Sequence, residues 1–327
     1  MRRRSLLAAA MPLAAARAEE MRRVTVAFAN VSDDPGTRLE GTGFTGPEVR
    51  ESFALAARRP PFELVTYDNM LDRKTALANA RDAIARRVDA YVLYGWDEAV
   101  NAEAGRLLKD AGIPVLAVGT PVPGAPLYAA DNEMAGRIAG EALARYAAAN
   151  WGERAVASVV LGPPAERSNR LDARIAGIAA GLKPVGPSPV RLETGGDPFK
   201  AGAALRGFLA SHAGSKVLVA ALDDASALAA KTAADAAGRS SDVVIVGQGC
   251  DRSVHGNTSE RKELDPANRG SLLLGSVAFF LDRYGYDVLP LALALATRQP
   301  VPPVTHTQHK LVTPANVYVV YPPFDMN

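Results

Sequence analysis

Cysteine is almost missing from this chain: Cys250 stands alone among 327 residues, so no disulfide can form within it. A scaffold stapled by disulfides is excluded, and the fold has to rest on its apolar residues. These make up 48% of the sequence, and at this length they suffice for two domains with full cores. Histidine is scarce too. His212, His255, His306 and His309 show no metal-ligand spacing, and the last two lie three apart in a run read as a strand, where they would point to opposite faces. No glycine-rich segment, Gly195-Gly196-Asp197 included, carries the lysine and spacing of a phosphate loop. Ser253 and His255 are close in a loop but lack a third group to orient them. Cys250, after a strand, reads as a buried and inert thiol. No metal, cofactor or catalytic constellation is expected. Beyond residue 18 there is no apolar run that could span a bilayer; Leu289 to Ala296 is far too short.

The start of the chain is different. Arg2, Arg3 and Arg4 precede an apolar, alanine-rich stretch from Ser5 to Ala16, and Ala16-Arg17-Ala18 is a small-x-small cleavage site. Residues 1–18 therefore read as a secretory signal peptide. Arg3-Arg4-Ser5-Leu6-Leu7 is similar to a twin-arginine export box, although ordinary leaders also carry consecutive arginines. No cysteine follows the cleavage site, which excludes a lipid anchor by that route. Four of the 37 basic residues fall in this leader, leaving 33 against 35 acidic ones. So balanced a chain has no electrostatic footprint for nucleic acid or an anionic lipid surface.

From residue 21 to about residue 251, β-rich runs alternate with helical spacing in units of roughly 25–40 residues, the size of βα repeats. Val24 to Ala29, Phe62 to Tyr67, Ala90 to Tyr94 and Ile113 to Val118 read as strands, with helices over Pro47 to Arg59, Lys74 to Arg87 and Asp97 to Ala111. The pattern restarts at a helix from Glu133 to Asn150 and again gives about four units. That is the arithmetic of two similar α/β lobes, each a doubly wound parallel sheet. Gly249 to Gly270 breaks the rhythm as a long polar loop. Thr305 to Val312 reads as a final alternating strand.

Four local matches carry a resemblance. Ile113-Pro114-Val115 follows Asp110-Ala111-Gly112. Ala130 to Gly136, then Ala139-Gly140-Glu141, is similar to a "D-N-x-x-x-G-x-x-A-G" box. Arg174 to Ile178 is similar to "R-x-x-G-F". Asp223-Asp224, then Val244 to Gly247, is similar to "N-D … V-V-G-F-D". In this order, behind a signal peptide, they resemble the type I periplasmic binding proteins, in the sugar-binding branch related to ribose-binding protein. The resemblance implies two Rossmann-like lobes joined by three hinge crossings, near 129–131, 278–280 and 304–305. The expected N-terminal lobe is residues 22–129 plus 280–304, and the C-terminal lobe 130–279 plus 305–327. It also implies a monomeric, periplasmic solute-binding protein of an ABC importer, with a sugar-like ligand and membrane permease subunits as partners. A receptor presenting its ligand to a sensor kinase or chemoreceptor is the alternative. An exported enzyme would need a clustered acid, base or nucleophile, which the sequence does not offer.

Ligands of open α/β sheets bind at the carboxyl ends of the strands. Arg170, after Asn169, falls at that rim, where a planar donor fork could grip ligand oxygens; a solvated helix charge is the competing reading. Asp223 could accept ligand hydroxyls or cap the following helix. Asp131 reads as a cap. Gly136, Gly140 and Gly177 read as sites of close packing of helix on sheet. In the first lobe Asn30 ends the first strand. Phe44 precedes the first helix, where the family places a stacking aromatic. Trp96 ends the third strand and could equally be packing. Val31 to Thr42 is long enough for a lid or an extra rim. Where the ribose-type pattern places an Asp-Arg pair that clamps hydroxyls, this chain has Gly119-Thr120. "G-F-D" becomes Gly247-Gln248-Gly249, and a hinge-side glutamine becomes Phe279 or Phe280. Thr120, Gln248 and Phe279 complete the expected ligand set, and these departures put ribose itself out of expectation.

Overall fold

Valine- and leucine-rich runs become strands because both their faces are covered, and the alanine-rich stretches between them become helices with small side chains against a sheet. The computed structural model describes residues 23–58, 62–152, 154, 156–163, 169–256 and 260–322. The leader at residues 1–18 lies outside them.

The first half runs β1 (Val24–Asn30), α1 (Gly46–Ala56), β2 (Phe62–Asp68), α2 (Arg73–Arg86), β3 (Ala90–Tyr94), α3 (Glu98–Asp110), β4 (Val115–Val118) and β5 (Leu127–Ala129). The second half begins with α4 (Asn132–Asn150), β6 (Val156–Gly162), α5 (Asn169–Leu182), β7 (Val190–Glu193), α6 (Pro198–Ser211), β8 (Lys216–Ala221), α7 (Asp224–Ala236), β9 (Val243–Gly249) and β10 (Leu273–Ala278). It closes with α8 (Tyr284–Ala296), β11 (Val304–His306), β12 (Lys310–Val312) and α9 (Val317–Val320). Among the described residues the strands make two six-stranded sheets, ordered β11-β5-β4-β3-β1-β2 and β12-β10-β9-β8-β6-β7. All pairings are parallel except that of β12 with β10. The chain is thus two α/β lobes.

The chain passes between the sheets three times: from β5 into α4, from β10 through a 3-10 turn at Leu281–Arg283 into α8, and from β11 to β12. Helix α8 packs on α1, β1, β3 and β4. The stretch Thr305 to Val312 is not one strand. It divides between the two sheets, and the third passage falls between His306 and Lys310 rather than at 304–305. The same division separates His306, on β11, from His309, in the connector. The passages are tied to one another: Thr307 N–H donates to the Ala129 carbonyl (3.0 Å), and His309 Nδ1 lies 3.0 Å from the Ala278 carbonyl. One apolar cluster, from Val26 and Phe28 through Tyr284 and Phe279 to Val246, runs without a break from the first lobe into the second.

Helices α4 and α5 cross on glycines. A Cβ added to Gly136 would sit 2.0 Å from the Arg174 carbonyl oxygen, and one on Gly177 would sit 2.0 Å from that of Glu133. Gly140 and Gly181 are also tight, with 2.4 Å to the Ile178 carbonyl oxygen and 2.6 Å to the Glu141 nitrogen. The expected packing of these glycines on the sheet is therefore corrected: they join helix to helix, and the crossing fixes where Arg174 emerges.

Candidate functional site

The site grows from the segment between β1 and α1. Asn30 is buried at the end of β1, and its side chain ties this segment to itself. Its amide donates to Asp33 Oδ1 (2.7 Å) and to the carbonyls of Ser32 (3.3 Å) and Gly46 (3.0 Å), while its Oδ1 accepts from Val31 N–H (3.0 Å). Within the segment Leu39 N–H donates to the Phe44 carbonyl (2.9 Å), and both side chains sink into the apolar core. The tip left standing is Glu40-Gly41, both in the left-handed region (φ 53° and 62°). That tip crosses the groove between the lobes.

Two arginines of α5 receive it. Arg174 is fully buried and all five of its N–H groups are used. They donate to the carbonyls of Glu40 (2.7 Å), Gly41 (3.1 Å) and Leu222 (2.9 Å), and twice to Asn132 Oδ1 (2.7 and 3.0 Å). Its guanidinium also lies 4.4 Å above the Phe279 ring. Burial lowers its pKa to about 10, which leaves it charged at neutral pH. Arg170, one turn earlier, takes the carboxylate. Its Nη1 is 3.1 and 3.2 Å from the two Glu40 oxygens, and its Nη2 donates to Thr120 Oγ1. Tyr94 O–H donates to Glu40 Oε1 (2.7 Å). The Glu40 side chain is only 2% exposed and that of Arg170 is 31% exposed. Gly119 makes room for the carboxylate, since a Cβ there would lie 2.9 Å from Glu40 Oε1. The acid–guanidinium pair missing from 119–120 is therefore present in space, assembled from Glu40 of one lobe and Arg170 of the other.

Gly41 and Arg38 line two cavities. One, of about 530 Å³, is bounded by Glu40, Trp96, Glu98, Thr120, Asn169, Arg170 and Leu171. The other, of about 570 Å³, is bounded by Thr42, Gly43 and Glu48 from the first lobe and by Asp223, Asp251, Arg252 and Ser253 from the second. Asp224, buried and not itself lining this cavity, holds the lining residue Asp251 by its N–H (2.9 Å) and accepts from Ser276 O–H (2.6 Å). Burial, with Asp251 nearby, pushes the Asp224 carboxyl well above the usual carboxylate range. Asp223 caps α7, accepting from Ser226 N–H (2.6 Å), and still faces this cavity. Among the described residues no group of three or more His, Cys, Asp or Glu could hold a metal ion, and no helix is long and apolar enough to cross a membrane.

The expected site residues thus separate. Trp96, Thr120, Asn169 and Arg170 surround the smaller cavity, and Asp223 lines the larger. Phe44 is corrected: it is 1% exposed and packed in the core, so its face is closed to a ligand. Asn30 organises the segment that carries Glu40 and has no donor left over. Phe279 lies buried beneath Arg174, edge-on to His309. Gln248 is fully buried, and neither its amide nitrogen nor its oxygen finds a partner among the described residues. Glu40, Tyr94, Asp251 and the anchoring role of Arg174 were not read from the sequence. The unusual length of Val31 to Thr42 was the signal for the first of these.

The family model of the periplasmic binding protein domain matches residues 41–256. A search of curated proteins finds no match. Among solved structures, an ABC transporter solute-binding protein from Actinobacillus succinogenes with bound D-allose shares 15% identity at a TM-score of 0.68, covering 90% of this chain and 98% of that one. One from Bacillus halodurans with bound myo-inositol shares 19% at 0.63, over 92% and 98%. A structure from Mycobacterium smegmatis shares 20% at 0.69, over 91% and 94%. At these identities the likeness is one of fold.

Proposed function

The chain belongs to the periplasmic binding protein domain family, and on that footing we propose that it captures a small polar ligand, a sugar or sugar derivative, between its lobes. It acts outside the inner membrane, exported by the leader at residues 1–18, and delivers its ligand as a monomer to the permease of an ABC importer. The observation that carries this reading is the meeting of Arg170 and Thr120, from opposite lobes, beside a cavity of about 530 Å³. A ligand that touches both rims favours the closed arrangement because no other presents both at once. Trp96, 40% exposed at the same cavity, offers an aromatic face to the C–H surface of a sugar ring. The hydroxylated ligands of the two solute-binding proteins named above support the ligand class.

The test is a thermal-shift screen against monosaccharides, polyols, sugar acids and nucleosides. A ligand at 100 times its dissociation constant adds about 2.7 kcal/mol, a shift of a few degrees in a chain of this size. Hits among the monosaccharides or polyols that Arg170→Ala abolishes are the expected result. Hits confined to nucleosides would keep a receptor and overturn the sugar.

A further inference from the structure

We infer that Glu40 sets the charge of the ligand: the cleft is built to take neutral hydroxylated molecules and to refuse both anions and cations. This deepens the ligand-capture reading and rests on it. Arg170 lines the smaller cavity as a free guanidinium would to bind a carboxylate or phosphate. Its Nη1, however, already faces both oxygens of Glu40, and its Nη2 already reaches Thr120. An entering anion would have to compete with a carboxylate that is 2% exposed and repels it. An entering cation would meet a carboxylate whose oxygens are engaged by Arg170 and Tyr94, with the Arg170 charge beside it. A neutral polyol faces neither penalty and can still use the outward face of Arg170. Specificity of this kind works by refusing the wrong partner as much as by holding the right one.

Glu40 is not a surface acid that happened to fall inward. Arg174 holds its backbone carbonyl and that of Gly41, so the tip cannot swing out without leaving a buried guanidinium short of acceptors. Gly119 gives up a side chain where the carboxylate lies. The tip residue adopts φ 53°, a conformation few glutamates hold without such support. Among the described residues the other charges on the cavity wall, Arg38 and Glu98, also balance.

The test uses matched trios that differ by one charge: galactose, galacturonate and galactosamine, with the glucose series alongside, titrated calorimetrically into the purified chain. The wild type is expected to bind the neutral hexose at least tenfold more tightly than its acid or amine. Glu40→Gln keeps the shape and an acceptor for Tyr94 but leaves Arg170 unpaired, so the uronate-to-hexose ratio should rise at least tenfold. Arg170→Met leaves Glu40 unpaired and should raise the hexosamine-to-hexose ratio in the same way. Should one variant fail to melt cooperatively, the other decides. A wild type that prefers the acid or the amine overturns the inference, as do folded variants whose charge preference matches the wild type. A wild type silent to every hexose would instead count against sugar capture. Even then a gained uronate response in Glu40→Gln would uphold the charge selection, and a folded variant without one would overturn it.

Discussion

A guanidinium buried without a carboxylate in direct contact is expensive, and Arg174 survives because every N–H group has an acceptor. All five of those bonds end on groups that bear no formal charge and cannot follow the arginine if it is removed: three on backbone carbonyls and two on the Asn132 side chain. Arg174→Met keeps much of the volume over Phe279 but leaves these acceptors buried and unpaired. The loss should be at least about 3 kcal/mol, a drop of several degrees or more in a melting scan. Asn169→Ala, immediately before Arg170 at an exposed position, makes a useful contrast. It should leave stability within about 0.5 kcal/mol, so that any change in ligand affinity reports on the cavity alone.

At the scale of elements, the α4–α5 crossing is what aims both arginines. The helices approach until backbone touches backbone at Gly136, Gly140, Gly177 and Gly181. Gly177→Ala would drive a methyl group into the Glu133 carbonyl and force the helices apart. Overpacking of this kind costs about 1–3 kcal/mol, and because Arg174 lies one turn away, ligand affinity should fall together with the melting temperature. Were affinity unchanged while stability fell, the crossing would be shown not to position the site. The sequence exposed the small-residue spacing but not its partner, since one turn between glycines suits a sheet as well as a helix. Strands and helices were legible because period and length agree over whole segments, as in Ala90–Tyr94 or Glu98–Asp110. Asn169, Arg170 and Asp223 could be placed at the cavities because a strand end in a parallel sheet has one rim to occupy, and Thr120 because the family resemblance puts a clamp at its position. Glu40 was not. The path of residues 31–45 is decided by Asn30, by the burial of Leu39 and Phe44, and by the opposite lobe, none of which leaves a local pattern. Phe44 misled for the same reason: an aromatic before a helix can turn to the cleft or to the core, and packing on Leu39 and Val49 decides for the core.

The whole molecule depends on how three passages share one hinge; the second of them carries one titrating group, Asp282, and the loop between β9 and β10 carries another of opposite sign, His255. Asp282, in the turn after β10, is mostly buried with Oδ1 unpartnered among the described residues, and burial raises its pKa to about 6. His255 stacks on Tyr321 at 4.0 Å, and burial lowers its pKa to about 4. The signs are opposite. For Asp282 the folded state prefers the protonated acid, so stability is lost as pH rises from the unfolded value of 3.8 through 6. For His255 the folded state prefers the neutral ring, so its contribution is complete above the unfolded 6.5 and is lost as pH falls toward 4. Each shift corresponds to about 3 kcal/mol. Between pH 4 and 6.5 the two slopes nearly cancel, and each hides the other. Asp282→Asn should therefore melt a few degrees above the wild type at pH 7, with the gap closing toward pH 4. His255→Phe, which keeps the ring on Tyr321, should match the wild type at pH 7 and exceed it below pH 6. Melting scans of the three proteins across pH 4–8 give the answer. Parallel curves would mean that neither group changes its proton affinity on folding, and that the hinge tolerates an ionised Asp282 through a motion or a water that lowers the cost of its charge.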